Sequence, residues 1–279
     1  MVTSAVSRES KPNPDFNEVN RRRGEDNVQW MTRLLTNYTP KGVVMLLVGG
    51  TDALSFRLRV AQAHLRHNMT PSSWSHVVLV VDPNVKDVAG SRLVEISLEP
   101  ESGFGWAPSG NAVQEDVKLA RYQDTHRFPN VAVVDLPPEV PPAGEGASAS
   151  RTADAKSATA AKAAQRKTVD EALERFKKMR GTLDCTELVL QWLGFAWGAG
   201  QAPNPLVAGR GIPSAVLVES LAAATGFELT PGIDSRASCP EAIWQAARWW
   251  YGLHDQVATR RLTGAYNISH NLVPADLVP

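Results

Sequence analysis

Only two of the 279 residues are cysteines, Cys185 and Cys239. So few thiols exclude a disulfide-built scaffold, and a chain of this length can bury a large apolar core without one. Metal-binding patterns are missing too: there is no CxxC and no HExxH, and the six histidines are scattered. His64 and His67 are three apart but have no third ligand near them in sequence, so they read as helix histidines rather than as a metal site. No glycine-rich phosphate loop of the Walker or dinucleotide type occurs. No metal and no cofactor is expected. Charge of one sign is also lacking. Lys+Arg and Asp+Glu balance at 29 each, so no basic field is available to attract nucleic acid. No run reaches the 18 or so apolar residues of a membrane-crossing helix. Residues Met1–Ser10 do not combine a basic start with an apolar stretch, so no secretory leader is expected and a cytoplasmic location is the default.

What is present is a set of apolar runs separated by turn residues. Residues 1–27 are polar, with Pro12, Pro14 and Arg21-Arg22-Arg23, and read as a flexible N-terminal arm. Residues 28–136 read as the first part of a folded domain. A short helix is expected over 28–35. Gly42–Val48 is a buried strand ending at Gly49-Gly50, and Thr51 or Asp52 caps a helix over 53–67. Strands follow at His76–Asp82 and Ser91–Leu98. A helix is expected over Gln114–Gln123, then a strand over Asn130–Asp135. Residues 137–157 are rich in Pro, Gly, Ala and Ser and read as a flexible insertion. Residues 158–252 read as the second part of the domain: helices from Ala160 through Thr168 to Arg180, from Cys185 to Gly198, over Ser214–Ala224, and from Pro240 to Trp250. Residues 253–279 read as a C-terminal tail wrapping the surface. The whole is an α+β protein.

Three residues carry the chemistry. Cys185, in Thr182-Leu-Asp-Cys-Thr-Glu-Leu-Val-Leu-Gln-Trp-Leu193, stands at the first turn of an apolar helix. Backbone N–H groups and the helix dipole favour a thiolate there. Asp184 opposes that thiolate if it points inward, and strengthens the helix start if it caps. His76 opens a strand of five aliphatics. Glu95 is a carboxylate within an otherwise apolar strand, which is costly unless it is paired, and a histidine on the neighbouring strand satisfies it. A thiol, an imidazole within hydrogen-bond reach and a third group orienting the ring make a nucleophilic triad. Trp106, in the loop Glu101–Gly110, and Trp74, just before His76, are the candidate substrate-binding residues. Cys239 also lies at a helix start but has no partner histidine, and reads as structural. Trp244, Trp249 and Trp250 have helical spacing and read as core.

Ser75-His76-Val-Val-Leu-Val-Val81, Leu93-Val94-Glu95 and Asp184-Cys-Thr-Glu-Leu-Val189, in that order, resemble the circularly permuted papain-like enzymes of the NlpC-type superfamily, especially the YiiX-like branch. Lecithin retinol acyltransferase-like proteins are more distant relatives. The resemblance spans roughly residues 42–198 and implies a papain-like permuted antiparallel sheet with the nucleophile-bearing helix packed against it. It implies Cys185 as nucleophile, His76 as general base and Glu95 as the group holding the imidazole, with the Cys185 N–H in an oxyanion hole. Two departures stand out: Leu183 and Asp184 replace the aromatic residue that often precedes the family's cysteine, and Gly-Asp is missing from the first strand.

The expected function is therefore a cysteine hydrolase or acyl-transfer enzyme. It would act on an amide or ester in a peptide, a cell-wall peptide or a lipid-linked acyl group, through a thioester. A non-catalytic papain-fold binding module is the alternative, with the arginine run, the insertion and the tryptophan-rich end as partner surfaces. No nucleic acid and no integral membrane segment is expected.

Overall fold

The computed structural model describes residues 16–37, 40, 42–81, 83, 86–98, 111–136, 138, 151–179, 184–198, 202–253 and 262–269, with backbone alone over 151–158 and 252–253. Its centre is a seven-stranded sheet. The strands are β1 (Phe16–Glu18), β2 (Val43–Gly49), β3 (His76–Val80), β4 (Arg92–Glu95), β5 (Gln114–Lys118), β6 (Asn130–Leu136) and β7 (Thr263–Asn267). Their order across the sheet is β1-β7-β6-β2-β3-β4-β5. Every pairing is antiparallel except β1 with β7. The protein is thus α+β, as expected, but its sheet is mixed.

The apolar runs lie in the middle. β2 and β6 are buried almost throughout, the pattern of strands covered on both faces. On one face Met45, Leu47, Val77, Leu79 and Val94 pack with residues of α2 (Ala53–Ala61), α3 (Arg151–Lys178), α4 (Cys185–Trp197), α5 (Pro213–Ala224) and α6 (Pro240–Leu253). On the other, Val44, Leu46, Val48, Val78, Val80 and Leu93 meet α1 (Asn27–Asn37) and the 3₁₀ turn Leu119–Tyr122.

Helix starts follow local chemistry. Asp26 Oδ1 accepts from Gln29 N (2.7 Å) while Gln29 Oε1 accepts from Asp26 N (3.0 Å), a reciprocal cap on α1. Asp52 caps α2 through Ser55 N at 2.8 Å. Asp184 caps α4, accepting from Thr186 N and Glu187 N. Pro213 opens α5, where its missing N–H costs no helical bond.

Four expectations are corrected. The N-terminal arm is partly ordered: Phe16–Glu18 pairs with β7, Phe16 packs against Trp244 and Tyr251, and Arg21 Nη2 donates to Pro129 O at 2.8 Å. Residues 1–15 lie outside the described residues. The C-terminal tail does not simply wrap the surface, because Thr263–Asn267 is inserted between β1 and β6. The insertion at 137–157 gives way to helix at Arg151, so its last residues belong to α3. Finally, Gln114–Lys118 is a strand, not a helix. Its composition favours helix, but pairing with β4 sets Leu93 against Val117, and that tertiary contact outweighs a weak local preference.

Candidate functional site

His76 and Glu95 meet. His76 opens β3 and Glu95 ends β4, and His76 Nε2 lies 3.0 Å from Glu95 Oε2. Both side chains point to the α1 face. His76 is paired with Val48 in register, and strand alternation puts it with Val78 and Val80. Glu95 shares its face with Leu93. A bulge separates the Leu93–Val117 and Glu95–Gln114 pairs, with one extra residue on β5.

Glu95 is completely buried, and two further groups hold it. Arg121 Nη1 donates to Oε1 at 3.0 Å, and the Tyr122 hydroxyl donates to Oε2. Burial pushes the Glu95 carboxyl up, but His76, Arg121 and Tyr122 together outweigh it and hold the group below the ordinary glutamate value. An ionised carboxylate only accepts, so Nε2 of His76 carries the proton. Nδ1 is then the lone-pair nitrogen. It has no hydrogen-bond partner among the described residues and is not sealed from solvent. His76 lines a small cavity of about 40 Å³ at the end of the sheet, together with Ser55, Ser75, Ser97 and Ile212. That volume holds a water or two.

Cys185 is not at this pair. It is the first residue of α4, as expected, but α4 covers the opposite face of the sheet, and the thiol packs in the cluster containing Val77, Leu79 and Ile96. It lines a different cavity of about 420 Å³, with Asp184, Glu187, Gln191, Arg210 and Arg236, and no lining residue is common to the two cavities. Among the described residues, the sulfur makes no hydrogen bond to His76. Cys185 is buried, and burial, helped by the charge of Asp184, pushes the thiol up to about 12. The helix-start effect expected to favour a thiolate is therefore overcome by desolvation. The Cys185 N–H is occupied as well, donating to Asn111 Oδ1 at 2.8 Å, so it is not an open oxyanion-hole donor. Asn111 and Ala112 both have positive φ, 51° and 64°, an unusual backbone for alanine that aims the Asn111 amide at α4.

The other candidates separate similarly. Trp74 is fully buried against Trp244, 4.9 Å between ring centroids, and is a core residue rather than a substrate platform. Trp106 lies outside the described residues. Cys239 is buried and likewise pushed up to about 12, consistent with a structural thiol. Glu187 is exposed, and its Oε1 accepts from Gln191 Nε2 at 2.9 Å. Of the tryptophans, Trp244 is core, Trp250 donates to Leu229 O at 2.9 Å, and Trp249 is exposed.

Sequence reasoning missed Arg121, Tyr122 and Asn111. The first two sit in the stretch whose composition reads as helix, and only the pairing of β5 with β4 carries them to Glu95. No family model matches the chain, and neither curated proteins nor solved structures give a match. The molecule stands as a mixed α+β protein with a partly buried histidine paired to a fully buried glutamate at one end of its sheet.

Proposed function

We propose that this chain is a hydrolase or acyl-transfer enzyme acting on an amide or ester, with His76 as general base and Glu95 as the group that orients it. The observation that carries this reading is the His76–Glu95 pair, with Nε2 tied to a buried carboxylate and Nδ1, which has no partner among the described residues, beside a cavity. In such a site Nδ1 takes a proton from the nucleophile as the nucleophile bonds to the carbonyl carbon. The same proton then goes to the leaving nitrogen or oxygen as its bond to that carbon breaks. A papain-like, permuted relationship remains part of this reading and rests on the sequence motifs.

Two nucleophiles fit. Water needs only the cavity already present at His76. Cys185 needs the start of α4 to come round the end of the sheet, giving up the bond from its N–H to Asn111. Only the second route passes through a thioester.

A panel of p-nitrophenyl esters and aminocoumarin amides of graded acyl length tests the reading. Wild type is expected to turn over a member of the panel, and His76→Ala to lose roughly a hundredfold or more of that rate. Cys185→Ala then separates the routes, being inactive if a thioester forms and active if water attacks. Equal, background-level rates in wild type and His76→Ala across the panel would sink the enzymatic reading.

A non-catalytic binding module is the second reading. It is favoured by one observation: both thiols are buried and protonated far above neutral pH.

A further inference from the structure

Glu95 is tied at both oxygens. Arg121 holds Oε1, while Tyr122 and His76 share Oε2. A carboxylate held at one oxygen still swings about its terminal torsion, which is broad and shallow. Held at both, it is fixed in plane, and the direction along which it accepts from His76 is fixed with it. Both anchors are themselves anchored. Arg121 Nη2 donates to Ser97 Oγ at 3.0 Å, two residues along the chain from Glu95. The Tyr122 ring packs edge-on against Phe128 at 5.0 Å between centroids. Its carbonyl accepts from the Asn27 side chain at 2.8 Å, and the same amide also donates to Phe128 O. The 3₁₀ turn, itself tied to helix α1 through Asn27, thus supplies both anchors of one carboxylate.

We propose that Arg121 and Tyr122 are positioning residues for the His76 base. The proposal rests on the reading of His76 as the working base, but not on the identity of the nucleophile. Neither residue hydrogen-bonds to the imidazole: Arg121 acts through Glu95, and the Tyr122 hydroxyl does the same, while the Tyr122 ring also lies tilted against the His76 ring at 6.1 Å between centroids. Beside the larger effect of His76 itself, the Arg121 cation helps hold Glu95 ionised in a fully buried site, so that the carboxylate accepts the Nε2 proton instead of offering one of its own. The Tyr122 hydroxyl occupies a second lone-pair direction on Oε2, leaving His76 one geometry in which to donate. Together they select the Nε2–H tautomer and keep Nδ1 as the basic nitrogen.

Nitrogen-15 NMR of the imidazole reads this directly in the full chain, without any substrate. In wild type the neutral His76 ring is expected as a single tautomer protonated at Nε2. Tyr122→Phe keeps the ring packing against Phe128 and removes only the hydroxyl. It is expected to give a mixed tautomer population and, where turnover is measurable, a kcat lower by roughly tenfold to a hundredfold at unchanged KM. Arg121→Gln is expected to do the same more strongly, and Arg121→Lys to restore part of the single-tautomer signature. Ser97→Ala, which loosens Arg121 without removing its charge, serves if Arg121→Gln does not fold. A single Nε2–H tautomer retained in Tyr122→Phe and in the folded arginine or serine variant overturns the proposal. A mixed tautomer in the variants, with no turnover by any form of the protein, upholds the positioning role and removes the enzymatic reading instead.

Discussion

Glu95→Gln is expected to cost about 3–5 kcal/mol of folding stability, the range found when one partner of a buried ion pair is removed. The size follows from what is left behind. Arg121 has a side-chain exposure of only 10% and keeps its charge without the carboxylate that offsets it. The Tyr122 hydroxyl and the His76 Nε2–H both lose a charged acceptor. Urea unfolding measures the loss. A change under about 1 kcal/mol, the scale of exposed pairs, would mean that the cluster is open to water. The variant also has a pH signature. The Glu95 carboxyl is held below its ordinary value of 4.5. Its contribution is therefore fully present above that value and is lost as pH falls through the lower, folded value. Wild type should lose stability on that acid limb, and Glu95→Gln should show a flatter one.

Trp192→Ala is expected to cost a similar amount, about 3–5 kcal/mol. Trp192 is fully buried on α4, and its Nε1 donates to Gly211 O at 2.7 Å. The Phe195 ring stands edge-on to it at 5.7 Å. The Gly211 loop has little room to relax: a Cβ there would lie 2.4 Å from Ser238 O, and Gly211 N already donates to Arg236 O at 2.7 Å. Truncation thus leaves a cavity and an orphaned carbonyl. Urea unfolding again gives the number, and a cost under about 1 kcal/mol would contradict the packing of α4 on the sheet. In contrast to Glu95→Gln, this variant should leave the His76 tautomer unchanged, because α4 covers the other face.

How much of this was legible in the sequence depends on how local each signal is. The aliphatic runs at 42–48, 76–82 and 130–135 identified the middle of the sheet, since a short, uninterrupted apolar run bounded by turn residues suits a strand covered on both faces. The His76–Glu95 contact was legible for an energetic reason: a carboxylate in an apolar strand demands a partner, and the next strand offers one. The caps were legible only as alternatives, Asp52 beside Thr51, and Asp184 as a cap or an inward-pointing charge; the structure has both aspartates capping. β7 was not, because Thr-Gly-Ala-Tyr-Asn carries little strand signal and its place is made by neighbours. Nor was the face on which α4 sits. Alternation along β3 divides His76 from Val77, but nothing local says which side will receive the helix bearing Cys185. That single tertiary choice separates two groups whose motifs, read in order, suggest one triad. Arg121 and Tyr122 were hidden by the same mechanism, since their stretch has helical composition and acquires its structure only by pairing with β4.

The arrangement is tested most directly by the rate of Cys185 alkylation against pH, in a Cys239→Ala background, with and without His76→Ala. Slow labelling is expected throughout the neutral range, rising only toward strongly alkaline pH, with His76→Ala leaving the profile unchanged, because the thiol is buried and lies across the sheet from the imidazole. Fast labelling well below the ordinary thiol range, slowed by His76→Ala, would contradict it and place the sulfur beside the base.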